Sequence, residues 1–220
     1  MTSSRLWRPS APVLSTERVV AAAVKLLDTA GLDSLSMRRL GTELGAPATT
    51  LYSYVGSKEE LLDLVLDAVI GTIALPPSAP RWQDDVRAAA DGFQRALRAH
   101  PWAALLFSSR PAIGPKAVDS SEFLLSALVR AGFAGTELDH AFWVVVNYVA
   151  GCTAKEVSWP LRVAAIGEMR EYVNGFDPQP YPVLAGHLGS VVPGTPDERY
   201  AFGLTCVISG LEALAKPART

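Results

Sequence analysis

Cysteine, histidine and charge are all scarce in this chain. Cys152 and Cys206 are its two cysteines, too few and too far apart for a disulfide framework or a recognisable metal site, so they read as buried free thiols. His100, His140 and His187 lack metal-ligand spacing, and neither a metal nor a cofactor is expected. No nucleophile–base spacing or phosphate-binding glycine loop is present, which argues against an enzyme. Long apolar runs are missing too: Ala141 to Cys152 is interrupted by Asn147 and falls short of the roughly 20 residues of a membrane helix. The first residues, MTSSRLWRPSAPVL, contain no apolar h-region, so no secretory signal is read and a cytoplasmic location with no membrane partner is expected.

What is present suits a globular chain of one or two domains. Of 220 residues, 49% are hydrophobic and 19% charged, outside the disordered range. The net charge of −2 is unevenly spread: residues 1 to 58 hold seven Lys or Arg against four acids, which leaves −5 for the remainder. A mildly basic head on an acidic body suits a phosphate-facing module joined to something that avoids nucleic acid.

The head is organised around Gly45 to Glu60, GAPATTLYSYVGSKEE. Residues 1–14 read as a mobile arm whose Arg5, Trp7 and Arg8 either stay solvated or reach a minor groove. Ser15 is a natural N-cap for a helix ending at Gly31, with Val19, Ala23, Leu26, Leu27 and Ala30 on one face. Ser36 caps a second helix through Leu44, with Leu35 and Leu40 as a hydrophobic staple, Leu44 inward and Arg38 and Arg39 outward. Gly45 supplies a positive-φ turn, and Pro47 at the first helical position opens a third helix through Val55. Ser57 and Glu60 form a capping box, Glu60 reaching back to the Ser57 amide.

Two short helices joined by a tight turn have the geometry of a helix-turn-helix, whose second helix enters the major groove. Leu51 and Val55 anchor that helix, leaving Ala48, Thr49, Thr50, Tyr52, Ser53 and Tyr54 outward. Hydroxyls and methyls of this kind contact base edges, tyrosines bond phosphate oxygens, and Lys58 adds charge at the next helix start. The same pattern also describes a plain hairpin of surface helices.

The pieces AGLDSLSMRRLGTELG and TLYSYVGSKEELL resemble the N-terminal DNA-binding domain of the TetR family of transcriptional regulators, over Ser15 to Leu66. The resemblance implies an all-α fold, with a three-helix helix-turn-helix domain at 15–60 and a C-terminal helical bundle at 61–220 for ligand binding and dimerisation. It implies Arg38, Tyr52, Tyr54 and Lys58 toward phosphates, and Ala48, Thr49, Thr50 and Ser53 toward bases. Pro47 stands where relatives often open the recognition helix with Ser or Thr, and Tyr54 where they often have His.

In the body, the helix from Ser57 is read to about Leu75, before Pro76-Pro77, as the connection between head and body. Further helices are read over Trp82 to His100, Pro101 to Phe107, 116 to 131, Glu137 to Ser158, within Pro160 to Val173, and over Asp197 to Lys216. The helix at Glu137 to Ser158 is so apolar that burial on most sides is expected. The last one carries Leu204, Val207, Ile208, Leu211 and Leu214 as its apolar stripe, beside Gly203, Ser209, Gly210 and Ala213. The 174–196 stretch is too rich in Pro and Gly for much regular structure.

Trp82 to Lys216 more weakly resembles the TetR-type regulatory domain. The resemblance favours a homodimer formed by the Leu138–Ser158 and Asp197–Lys216 helices, though both also read as intramolecular core. Trp102, Phe107, Phe142, Trp143, Asn147, Cys152 and Trp159 are candidate pocket residues, Asn147 foremost because an amide in an apolar helix needs a partner. Each also reads as ordinary core. The function expected is a repressor releasing a pseudo-palindromic double-stranded DNA operator when a small hydrophobic effector binds. The rival is a small-molecule-binding or protein-interaction dimer with a vestigial DNA head.

Overall fold

The computed structural model describes residues 13–110, 114–158, 175, 179–184, 186 and 195–215. Among these the regular structure is helical, as an all-α fold requires, and the chain divides into one compact unit up to Val65 and another from Leu66.

The first unit is built on helix α1 (Thr16–Ala30), α2 (Met37–Leu44) and α3 (Ala48–Leu51). The Ser15 hydroxyl accepts the Arg18 N–H at 3.3 Å and so starts α1. A first-turn backbone N–H and the Ser15 hydroxyl hold the Glu17 carboxyl below its usual range. Val19, Val20, Ala23, Leu26 and Leu27 are buried; Ala30, expected inward, is exposed at the last position of α1. The Ser36 hydroxyl accepts the Arg39 N–H at 3.2 Å and starts α2, with Leu35 and Leu40 both buried. Leu44 is half-buried.

Two expectations about the third helix change. Pro47, with φ −57° and ψ 142°, occupies the cap position and not the first helical one. Regular α-helix also stops at Leu51 and not Val55, because the backbone tightens: the Ser53 N–H bonds the Thr50 carbonyl at 3.2 Å and the Tyr54 N–H bonds Leu51 at 3.0 Å, the i→i+3 pattern of a helix end. The Thr16 hydroxyl donates to the Tyr54 carbonyl at 3.1 Å and ties this turn to α1.

Helix α4 (Lys58–Ile70) begins in the first unit and ends in the second. The Ser57 hydroxyl accepts the Glu60 N–H at 2.9 Å as expected, but the Glu60 carboxylate reaches the Gly56 N–H at 2.8 Å and not the Ser57 amide. α4 also ends five residues before Leu75, where the Thr72 hydroxyl turns back onto the Val69 carbonyl at 2.7 Å.

The second unit continues with α5 (Trp82–Ala99), α6 (Pro101–Phe107), α7 (Pro115–Arg130), α8 (Gly135–Ser158) and α9 (Pro196–Leu214). Its core is Val86, Leu124, Leu128, Val145, Val149 and Leu204 with their neighbours. The buried Asp85 carboxylate bonds Arg130 and the Ala79 N–H, which fixes the linker before α5 against the end of α7. α9 starts with a complete capping box between Thr195 and Glu198.

The outward faces of α8 and α9 depart from expectation. Trp143, Val144 and Asn147 on α8 are exposed in the single chain, as are Phe202, Cys206 and Leu214 on α9. α8 is apolar nearly all round, so its periodicity does not say which side the protomer covers. Within 174–196, residues 182–184 form a helical turn; the helix read within Pro160 to Val173 lies outside the described residues.

Candidate DNA-reading surface and effector cavity

Leu51 and Val55 are completely buried, so the short α3 turn is held from below while its upper surface stays free. Arg38, Thr49, Thr50, Tyr52 and Ser53 are exposed; Ala48, Tyr54 and Lys58 are half-buried. Among the described residues, the side chains of Arg38, Thr49, Thr50, Tyr52, Ser53 and Lys58 make no hydrogen bond or ion pair within the protein. By contrast Lys25 is already committed to Glu43 at 3.3 Å. Four hydroxyls and two cations without internal partners can therefore bond phosphates and base edges without breaking anything.

The second unit contains a cavity of about 320 Å³, the size of a small-molecule site. Ile70, Ile73 and Leu75 border it from the end of α4 and the chain beyond, Phe93 from α5 and Phe107 from α6. α7 contributes Ala117, Ser120, Ser121 and Leu124, and α8 contributes Phe142, Trp143 and Val146. The Phe93 and Phe107 rings meet edge to face at 4.9 Å, as do Phe142 and Trp143 at 5.4 Å.

Three of the sequence-based candidates, Phe107, Phe142 and Trp143, thus come together here. Trp102 is buried elsewhere in α6, its ring 5.9 Å from that of His100. Cys152 sits beside Tyr148; burial first, then this thiol, push the Tyr148 hydroxyl well above its usual range. That hydroxyl donates to the Tyr200 carbonyl at 2.7 Å, and burial followed by the nearby Asp91 carboxylate raises Tyr200 as well. Asn147 is exposed and does not border the cavity, so the buried amide that motivated its choice is absent from the protomer. Trp159 lies outside the described residues. Sequence reading passed over Ser120 and Ser121, although Ala117, Ser120, Ser121 and Leu124 share one helical face in which two hydroxyls interrupt an apolar stripe.

One further contact joins the cavity wall to α4. The Asp67 carboxylate, buried in α4, accepts the Lys116 N–H at 3.1 Å and the Ala117 N–H at 2.9 Å at the start of α7. It thereby satisfies two amides that have no partner within their own helix. Packing is close: a Cβ on Gly114 would stand 2.2 Å from the Asp67 carboxyl carbon. Ile70, one turn on from Asp67, and Ala117 both border the cavity.

Comparison with known proteins identifies both parts of the chain. Residues 19–65 match the model of bacterial regulatory proteins of the tetR family, and residues 76–215 match the tetracyclin repressor-like C-terminal domain. An HTH-type transcriptional regulator of Saccharopolyspora erythraea is 42% identical over 179 residues, 80% of this chain and 75% of that one. The HTH-type transcriptional repressor DrrR1 of Streptomyces coeruleorubidus is 32% identical over 99% of this chain and 84% of its own. Crystal structures of the Streptomyces coelicolor TetR family protein ActR, in complex with (S)-DNPA and with actinorhodin, superpose with a TM-score of 0.84 at 29% identity, covering 93% of this chain and 100% of theirs. The chain belongs to the TetR family of bacterial transcriptional regulators.

Proposed function

We propose that this ligand-responsive, DNA-binding transcriptional regulator is a homodimeric repressor that releases its operator when a small hydrophobic molecule fills the cavity. The observation that carries the DNA half is the set of uncommitted hydroxyl and basic side chains on α2, α3 and the start of α4. In this reading Thr49, Thr50, Ser53 and Ala48 face bases, while Arg38, Tyr52, Tyr54 and Lys58 hold register on phosphates. The exposed apolar strip of α8 and α9, with Trp143, Val144, Phe202 and Leu214, is the surface a second copy would cover. Two copies about a two-fold axis read a pseudo-palindrome when their recognition helices lie about 34 to 36 Å apart. An effector acts only through its different affinity for the two spacings. α4 is the connecting element, since Ile70 borders the cavity and Lys58 opens the same helix.

Gel-shift titration against DNA upstream of the protein's own and neighbouring genes tests this reading. Sequence-dependent, salt-sensitive binding is expected, and its absence would favour a dimer with a vestigial head. Tyr52→Phe combined with Lys58→Ala should weaken binding to every site and lower the salt slope by about 2, one lysine–phosphate contact being lost in each half-site. Thr50→Ala should instead change which operator variants are preferred, by about 1–3 kcal/mol at one base pair. Unchanged affinity and preference in both variants would remove α3 from the recognition surface.

A further inference from the structure

We infer that the cavity selects an uncharged, flat aromatic molecule bearing a hydroxyl or carbonyl group on one edge, an inference that rests on reading this cavity as the effector site. The lining is apolar except at one place. Phe93, Phe107, Phe142 and Trp143 line the space as two edge-to-face pairs, and aromatic rings favour stacked or edge-on contact with another ring. The aliphatic remainder adds shape and no polarity. Among the described lining residues none carries a charge. A ligand carboxylate or ammonium would shed its water and find no counter-charge among these residues, which is strongly unfavourable.

The exception is Ser120 and Ser121, consecutive on α7. Neither side chain has a hydrogen-bond partner among the described residues. Each hydroxyl can donate once and accept twice, so the pair serves a ligand carbonyl or hydroxyl equally well. Because both serines stand on α7 and the four aromatics on α5, α6 and α8, they also fix orientation: the oxygen-bearing edge points to α7 and the hydrocarbon meets the aromatic rings. A long aliphatic alcohol satisfies the serines, but it makes poorer contact with the rings and loses more conformational freedom.

Equilibrium dialysis of the full chain with four probes tests this chemistry: 2-naphthol, naphthalene, 2-naphthoate and decan-1-ol. The expected order places 2-naphthol first, about three- to tenfold tighter than naphthalene, the ratio one net hydrogen bond supplies. 2-Naphthoate, the same skeleton with a charge, should bind at least tenfold more weakly than 2-naphthol. In the Ser120→Ala/Ser121→Ala variant, naphthalene should bind as before and the advantage of 2-naphthol should vanish. Equal binding of 2-naphthoate or decan-1-ol, no binding of 2-naphthol, or a naphthol preference that survives loss of both serines would overturn the inference.

Gel-shift with the operator separates this from the reading it rests on. Operator release by 2-naphthoate or decan-1-ol, but not by 2-naphthol, would keep the cavity as the effector site and overturn the chemical class. Serine-dependent 2-naphthol binding that leaves operator affinity unchanged at saturation would keep the chemistry and remove the cavity from regulation.

Discussion

Valine in place of Gly41 should abolish operator binding and destabilise the first unit by about 2–3 kcal/mol, the usual scale of overpacking at a site that cannot yield. Gly41 lies on the buried face of α2, where the turn into α3 folds back across it. The Ala46 N–H bonds the Gly41 carbonyl at 2.9 Å. An added Cβ would stand 2.6 Å from the Ala46 carbonyl oxygen and 3.2 Å from the Ala48 nitrogen. Both are backbone atoms, so no rotamer change relieves the contact and α3 itself must move. Moving α3 displaces Thr49, Thr50 and Ser53 together, whereas a surface change at one of them alters a single contact. Thermal melting followed by gel-shift checks this, and wild-type operator affinity in the variant would contradict the packing described.

Alanine in place of Asp67 should cost about 2–3 kcal/mol in the second unit, since it leaves two amide N–H groups at the start of α7 without their acceptor and removes a negative charge from a helix N-terminus. Asp67→Asn keeps a carbonyl oxygen and should cost less than half as much. Urea denaturation of the two variants distinguishes the bond from the charge: equal losses would assign the effect to charge alone. A functional effect should accompany the loss. Asp67 fastens α4 to α7 beside Ile70 and Ala117 on the cavity wall, so the alanine variant should bind operator more weakly even without effector, while its Ser120 and Ser121 remain in place.

The head was legible in the sequence because its signals are local. Ser15 and Ser36 cap helices through bonds spanning three residues, Gly45 takes φ 65°, and Leu51 and Val55 are buried as the helical spacing requires. Errors there are of one to four residues and have local causes, such as the tightened turn after Leu51 and the Glu60 carboxylate settling on Gly56. The cavity was only partly legible because it has no local signature. Phe107, Phe142 and Trp143 stood out as aromatics, but Ile70, Ser120 and Ser121 acquire their role from how α4, α7 and α8 pack. Asn147 misled for the same reason: an amide within an apolar helix signals burial only when every face of that helix is covered.

The dual position of Trp143 has a consequence for dosage. Its ring borders the cavity, and it is also 41% exposed on the strip that a second copy would cover. In the proposed dimer, a second copy would stand against the outer side of one wall of the effector's binding space. Any difference in effector affinity between the single chain and the dimer would then return, by linkage, as an equal effect of effector on subunit association. The amount of protein in the cell would then become an input to the response alongside the effector.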